Sequence, residues 1–158
     1  MKKLIVVSLC LAALWGGAFE AFSAGGADEL YRQGLEAYMA QDYGRAFECF
    51  SSAAEEGYVY AQHDLGVMYY KGEGVEQDYA RAAELYSKAT EQGYMYAQSS
   101  LALMYYDGEG VDQDYTQAAE LFRKAADAGN NEAQIRLGGA SKSLSIKKTT
   151  VQLETGKK

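Results

Sequence analysis

A unit of 36 residues recurs along the chain, and this repeat constrains the fold more than any other feature of the sequence. One copy reads YAQHDLGVMYYKGEGVEQDYARAAELYSKATEQGY over 60–94, and the next reads YAQSSLALMYYDGEGVDQDYTQAAELFRKAADAGN over 96–130. Asp42, Asp78 and Asp114 accordingly fall 36 positions apart. A fixed period of this length is typical of a solenoid, in which each unit buries its apolar face against its neighbours. Such a fold displays an extended surface and rarely encloses a reaction.

Each unit is predicted to form two helices joined by a loop. In the second unit, Ala61, Leu65 and Met68 fall at helical spacing and make one apolar face. Asp78 precedes the second helix, where a short carboxylate accepts the free backbone amides. Gly93 follows that helix and fits the left-handed position that ends it. Because the sequence contains no proline, glycine is expected to make every turn.

The order of these residues resembles the Sel-1-like repeat, a relative of the tetratricopeptide repeat. The shared elements are Leu-Gly, Tyr-Tyr, Gly-x-Gly-Val, Asp-Tyr and Ala-Ala-Glu-Leu, and the resemblance extends over 27–138. The first unit lacks the Gly-x-Gly loop and is similar to a plain tetratricopeptide unit. The resemblance implies an all-α fold, an α/α solenoid wound as a right-handed superhelix of helix-turn-helix repeats. We assign the repeat region to 25–138, with units at 27–58, 59–94 and 95–130 and a partial unit at 131–138.

The two ends of the chain differ from the repeats. Residues 1–24 are predicted to be a cleavable signal peptide, with a basic start and an apolar run of 12 residues from Leu4 to Trp15. That run is too short to cross a bilayer of about 30 Å, and cleavage after Ser23 or after Ala24 fits the sequence. The protein is therefore expected to be periplasmic or secreted. Residues 139–158 are predicted to be a basic, polar, disordered tail.

Charge and cysteine content narrow the class of partner. Residues 27–138 contain 20 acidic and 8 basic side chains, whereas 139–158 contain 5 lysines and 1 glutamate. The acidic body argues against nucleic acid, since phosphate binding needs clustered basic side chains. Cys49 is the only cysteine after the signal peptide, so no disulfide framework is expected. It takes the place of Leu85 and Leu121 in the later units and is predicted to be a small buried hydrophobic residue.

The resemblance to tetratricopeptide arrays implies that the first helix of each unit lines a concave groove. Tyrosine suits such a groove because it buries a large area at low entropic cost and keeps a polar tip. The candidate partner-binding residues are Tyr31, Leu35, Tyr38, Tyr60, His63, Val67, Tyr70, Tyr96, Ser99, Leu103 and Tyr106. Within the neighbouring pairs Tyr69–Tyr70 and Tyr105–Tyr106 only one ring can face the groove, and packing between units explains these four tyrosines equally well.

The sequence offers little for metal or cofactor chemistry. His63 is the only histidine, and no cysteine or acidic cluster accompanies it at ligand spacing, so a solvated or groove-lining role is favoured. The acidic loop with Asp107, Glu109, Asp112 and Asp114 lacks the order of an EF-hand. We interpret it as a solvated turn whose last aspartate caps a helix. No metal and no cofactor are expected.

The leading hypothesis for function is a non-enzymatic protein–protein interaction adaptor that holds a peptide or helix of another, basic protein. A homodimer through the C-terminal edge is a further option, because the partial unit has no second helix. The alternative is a cell-wall or β-lactam hydrolase of the cysteine-rich repeat type. Ser145 and Lys148 spell Ser-x-x-Lys, but the partner motifs of such enzymes and the paired cysteines of those relatives are missing. A spacer or inhibitor acting through its convex acidic face is the third possibility.

Overall fold

The structure is a computed structural model that describes residues 26–155, with side chains through Ser145 except that of Leu144. These residues form seven α-helices and no strand. The helices are α1 (Ala27–Met39), α2 (Tyr43–Glu55), α3 (Val59–Lys71), α4 (Tyr79–Glu91), α5 (Met95–Asp107), α6 (Tyr115–Asp127) and α7 (Asn131–Thr155). None of them is long and apolar enough to cross a membrane. The predicted signal peptide, 1–24, lies outside the described residues.

The helices pack in chain order, each against the one before it and the one after it. α1 and α2, α3 and α4, and α5 and α6 form the three predicted hairpins, so the protein is an all-α repeat solenoid. Asp78 and Asp114 cap the second helices as predicted, and Asp42 does the same in the first unit. Their carboxylates accept backbone amides of the first turn, with a distance of 3.0 Å from Arg81 N to Asp78 Oδ1. Each cap satisfies an amide that the helix itself leaves unpaired.

An aromatic ring from each second helix fills the core of its unit. Phe50, Tyr86 and Phe122 occupy equivalent positions and are 1, 3 and 1 % exposed. The facing position is a glycine in the first two units, Gly34 and Gly66, and an alanine, Ala102, in the third. A Cβ at Gly34 would lie 2.5 Å from Phe50, and one at Gly66 would lie 2.7 Å from Tyr86. Small residues therefore let the paired helices approach closely enough to enclose the ring.

The Gly-x-Gly loops also join one unit to the next. Gly74 and Gly110 have φ values of 72° and 70°, in the left-handed region. A Cβ at Gly74 would lie 2.5 Å from the carbonyl oxygen of Tyr43, and one at Gly110 would lie 2.4 Å from that of Tyr79. The second glycine of the loop thus allows backbone-to-backbone contact with the preceding unit, which any side chain would prevent.

One turn departs from the expectation that glycine makes every break. Gln41, between α1 and α2, has a φ of 61°. Its amide donates to the carbonyl oxygen of Tyr38 at 3.0 Å, and the amide of Asp42 donates to that of Ala37 at 2.9 Å. These bonds close the helix end in the manner of a glycine-terminated helix, so a left-handed residue is required although the sequence supplies glutamine.

The sequence interpretation of the C-terminal region requires correction. Residues 139–155, predicted to be a disordered tail, continue α7 to Thr155, and the helix has 25 residues where the other six have 13 each. α3 and α5 end at left-handed glycines, Gly72 and Gly108, but the equivalent position in α7 is Leu144. Because no glycine or proline occurs between 140 and 155, nothing in the sequence ends the helix there.

Cys49 lies on α2 and is half-buried, with burial raising the pKa of its thiol. Leu85, its equivalent in the second unit, is half-buried as well, whereas Leu121 is 7 % exposed. Cys49 therefore packs as an apolar side chain of the repeat, although less completely than predicted. A desolvated thiol with a raised pKa is a poor nucleophile at neutral pH.

Candidate functional site

The predicted residues gather on one side of the solenoid, which we call the first-helix face because α1, α3 and α5 supply it. Aligning these helices places Tyr31, His63 and Ser99 at one register. Leu35, Val67 and Leu103 follow one turn later, and Tyr38, Tyr70 and Tyr106 one turn after that. Ser99 is the exception in exposure, since it is 7 % exposed and contributes little surface.

Five tyrosines form a continuous row along this face, and we call them the tyrosine row: Tyr31, Tyr58, Tyr60, Tyr94 and Tyr96. The centroids of each consecutive pair of rings in this row are 5.2 to 5.5 Å apart. Tyr60 and Tyr96 are the most open members, at 44 and 49 % exposure. Such spacing is normal for tilted and edge-to-face aromatic pairs, so the rings hold one another in place.

Tyr58 and Tyr94 were missing from the sequence prediction. They immediately precede α3 and α5, where they occupy the N-cap position without a side-chain cap bond. Both are half-buried, and burial raises the pKa of Tyr94 to about 12. Their spacing of 36 residues was visible in the sequence. The helical pattern that identified Tyr60 and Tyr96 begins one residue after Tyr58 and Tyr94, however, and so does not include them.

A carboxylate lies beside the tyrosine row. The hydroxyl of Tyr31 donates to Asp64 Oδ2 at 2.8 Å, and His63 Nδ1 lies 2.9 Å from Asp64 Oδ1. Burial, and then the nearby Asp64 charge, raise the pKa of Tyr31. His63 also stacks edge-on against Tyr94, with centroids 5.2 Å apart. The predicted groove-lining histidine is thus held by its neighbours, and Asp64 is a residue of this face that the sequence prediction missed.

The third register joins units together. The hydroxyl of Tyr38 donates to Glu73 Oε2 at 2.5 Å, and that of Tyr70 donates to Glu109 Oε2 at 2.6 Å. The pKa of both tyrosines is raised to about 12, mainly by these hydrogen bonds and to a smaller extent by burial. Tyr106 lies 3.0 Å from Ser143 Oγ on α7 in the same way. These rings pack between units and leave only part of their surface on the first-helix face.

The other member of one tyrosine pair belongs to the opposite side. Tyr69 is 8 % exposed, and its hydroxyl accepts a hydrogen bond from Arg81 Nη1 at 3.1 Å. Its ring and Arg81 line a cleft of about 270 Å³ between α2 and α4, with Leu65, Leu85 and Lys88. Tyr69 therefore stabilises the packing of the second helices and offers nothing to the first-helix face.

The remaining candidate groups have structural partners. Asp114 caps α6, and Glu109 accepts the Tyr70 hydroxyl, which agrees with the interpretation of the acidic loop as a capped turn. Within 26–155, no group of three or more histidine, cysteine, aspartate or glutamate side chains is placed to hold a metal ion. The hydroxyl of Ser145, an exposed residue of α7, donates to the carbonyl oxygen of Ser141 at 3.0 Å, and Ser145 lines neither the 270 Å³ cleft nor a smaller one between α1 and α3.

Comparison with known proteins gives consistent results. The Sel1 repeat family model matches residues 22–58, 59–94 and 96–130. The crystal structure of c5321, a protective antigen of uropathogenic Escherichia coli strains with an SLR fold, is 36 % identical with a TM-score of 0.73. A Sel1 repeat protein from Oxalobacter formigenes is 33 % identical with a TM-score of 0.66. The cysteine-rich protein B of Helicobacter pylori, at 24 % identity and a TM-score of 0.55, shares the fold.

The alignments cover most of this chain but differ in how much of each solved structure they include. The three alignments span 77, 68 and 68 % of this chain, and 27, 44 and 91 % of the respective structures. The chain thus corresponds to less than half the length of the first two. A search of curated proteins found no match. Three matched repeats covering more than half of the sequence establish that this chain is a member of the Sel1 repeat family.

Proposed function

We propose that this protein is a non-enzymatic scaffold that binds a segment of another protein on its first-helix face, which forms a concave groove. The Sel1 repeat fold is typical of protein–protein interaction scaffolds. The observation that carries the proposal is the tyrosine row, with Tyr60 and Tyr96 close to half exposed and supported by the rings between them. Large apolar side chains in open positions mark interaction sites when they are contiguous.

The tyrosine row suits this task energetically. Tyrosine is enriched among interface residues whose truncation costs at least about 2 kcal/mol of binding free energy. Because the neighbouring rings already fix Tyr60 and Tyr96, a partner loses little additional side-chain entropy when it binds them. The excess of acidic side chains over 27–138 favours a partner segment with basic residues and speeds its approach.

Site-specific photo-crosslinking tests the proposal. A photoreactive amino acid placed at Tyr96 is expected to capture a discrete protein in intact cells, identified by mass spectrometry. The purified partner should then bind the Tyr60→Ala/Tyr96→Ala double variant at least 10-fold more weakly, since two such truncations remove several kcal/mol. Met39→Ala is the matched control, because Met39 is 83 % exposed at the end of α1, outside the tyrosine row.

Both tyrosines are close to half exposed, so the double variant should retain the helical circular dichroism spectrum, with a lower melting temperature because the ring contacts to Tyr58 and Tyr94 are lost. Undiminished binding of the partner to this variant would refute the placement of the interface. Turnover of a cell-wall or β-lactam substrate that disappears in His63→Ala or Ser145→Ala would refute the non-enzymatic assignment.

We also propose that the protein works outside the cytoplasm. Residues 1–24 have the basic start, apolar run and small-residue cleavage sequence of a signal peptide. Cell fractionation should find the protein in the periplasm or the medium, and N-terminal sequencing should begin at Ala24 or Gly25. A cytoplasmic protein with an intact N-terminus would contradict this.

A second copy of the chain is proposed to dock at the C-terminal edge. Ile135 on α7 is 80 % exposed, and a Cβ at Gly138 would meet no other described helix within 4 Å. Its counterparts Gly34 and Gly66 receive aromatic rings. Two α7 helices packing about a two-fold axis would cover this face, with the basic residues after 139 reaching the acidic body of the other copy.

Light scattering after size-exclusion chromatography tests the dimer. Ile135→Asp should convert a dimer into a monomer, whereas Met39→Asp, which introduces the same charge at a similarly exposed apolar position, should leave it unchanged. A protein that is monomeric across the full concentration range before any substitution would refute this contact.

A further inference from the structure

A small cleft opens on the first-helix face between α1 and α3. Its volume is about 130 Å³, and it is lined by Leu35, Tyr38, Phe50, Asp64 and Val67. Cofactor and drug-sized ligands occupy clefts of about 300–1,000 Å³. The volume here corresponds to a single long side chain, and no whole small molecule of ordinary size would be enclosed by it.

The lining combines apolar walls with one carboxylate. Four of the five side chains offer carbon surface, and Asp64 supplies the charge. Each Asp64 oxygen has one neighbour, Tyr31 at Oδ2 and His63 at Oδ1. A carboxylate accepts about four hydrogen bonds, so both oxygens retain acceptor capacity. The Asp64 side chain is 28 % exposed and can be reached from solvent.

A second carboxylate, Glu73, is hydrogen-bonded to the lining residue Tyr38. Glu73 accepts the Tyr38 hydroxyl, and its other oxygen lies 3.7 Å from Lys71 Nζ. This exposed ion pair contributes little energy and is readily exchanged. The cleft therefore has one carboxylate in its lining, Asp64, and a second, Glu73, on the hydroxyl of its lining tyrosine, and Glu73 is paired with Lys71.

The charge is specific to this position in the array. Asp64 is equivalent to Arg32, Ser100 and Arg136 in the other three first helices. Arg32 forms ion pairs with Glu29 and Glu36 on its own helix. At this position of the first helix, a carboxylate thus occurs in the second unit alone. It would fix where along the array a charged residue of the partner is placed.

We propose that this cleft binds one lysine side chain of the protein segment held on the first-helix face. The aliphatic stem lies between Leu35 and Val67, and the ammonium group donates to Asp64. Lysine suits the cleft because its unbranched stem buries carbon surface while its compact head keeps polar contacts. The face of Tyr38 adds cation–π attraction. This inference rests on the proposed function, of which it names one specificity element.

A titration with small amides tests the cleft without the natural partner. The probes are N-acetyl-lysine N-methylamide and its uncharged analogue N-acetyl-norleucine N-methylamide, added to the ¹⁵N-labelled exported protein and followed by amide chemical shifts. The lysine probe should shift the amides of Leu35, Asp64 and Val67, with an affinity at least 10-fold above that of the norleucine probe. Comparable binding of both probes would overturn the proposal.

Two variants test separately the charge of Asp64 and the open volume of the cleft. Asp64→Asn keeps hydrogen-bonding groups and should weaken the lysine probe at least 10-fold, and Val67→Phe should block the cleft with Asp64 intact. Asp28→Asn removes the same charge from an exposed position on α1 and is the matched control. An unchanged affinity in Asp64→Asn, or tighter binding of the corresponding arginine amide than of the lysine amide, would refute lysine recognition.

The outcomes distinguish this inference from the proposed function. Since the probes are free amides, their failure to bind would leave the crosslinking experiment at Tyr96 and its partner unaffected. Conversely, a partner that ignores Tyr60→Ala/Tyr96→Ala would refute the interface while the lysine probe could still be measured in the cleft.

Discussion

Replacing the second glycine of a Gly-x-Gly loop tests how neighbouring units are joined. Gly110→Ala and Gly93→Ala each place alanine at positive φ, 70° and 83°. That conformation costs an L-residue about 1–2 kcal/mol, of which part is recovered from the lower entropy of the unfolded chain. Apart from its two chain neighbours, no described residue has an atom within 4 Å of a Cβ at Gly93. Gly93→Ala should therefore reduce the free energy of unfolding by about 1 kcal/mol.

Gly110→Ala adds a steric term. Its Cβ would lie 2.4 Å from both the carbonyl carbon and the carbonyl oxygen of Tyr79. A backbone group cannot rotate away as a side chain does, so the loop and α4 must separate. Overpacking of this kind costs about 1–3 kcal/mol. The total loss should be about 3 kcal/mol, and Gly74→Ala, which meets the carbonyl of Tyr43 at 2.5 Å, should behave alike.

Urea unfolding followed by circular dichroism measures the difference. With a slope of about 2 kcal/mol/M, the extra 2 kcal/mol lowers the midpoint of Gly110→Ala by about 1 M relative to Gly93→Ala. Equal midpoints would refute the reasoning, because they would mean that the left-handed backbone alone determines the cost and that the contact between units contributes nothing.

Four further variants are expected to change stability in defined ways. Phe122→Ala should lower the free energy of unfolding by about 4 kcal/mol in urea, because the ring is 1 % exposed and leaves a cavity; a loss below about 1 kcal/mol would contradict this. Asp114→Ala should cost about 1 kcal/mol in the same assay, through two backbone amides of α6 that lose their acceptor. Gln41→Gly should raise the melting temperature, since it relieves a φ of 61° worth about 1 kcal/mol; a lower one would show that the turn is unstrained. Tyr38 and Tyr70 keep their protons to about pH 12 when folded but release them near pH 10 when unfolded, so stability should fall between those values, and less steeply in the double phenylalanine variant.

Local signals in the sequence were sufficient for the helical hairpins. The 36-residue period identified the units, and the caps at Asp78 and Asp114 marked where their second helices begin, because a cap acts within a few residues of its own helix. The length of α7 escaped prediction, since a polar composition was given more weight than the lack of any residue that ends a helix.

The first-helix face was only partly predictable for a different reason. Helical spacing placed Tyr60 and Tyr96 on this face, but it cannot show which side chain of the next unit a residue meets. The bond from Tyr31 to Asp64 spans 33 positions, and that from Tyr38 to Glu73 spans 35. Such pairs depend on how one unit sits against the next, which no periodicity within a helix specifies.

The repeated joints have a consequence for how such a protein can change in length. Unit one contacts unit two through the hydrogen bond from Tyr38 to Glu73 and through the close approach of Gly74. Unit two contacts unit three in the same way, through the hydrogen bond from Tyr70 to Glu109 and the close approach of Gly110. Each interior copy therefore carries both halves of the same connector. Duplication of 36 residues within the gene would insert a segment already fitted on either side, so the array can grow from its middle while its two distinct termini stay as they are.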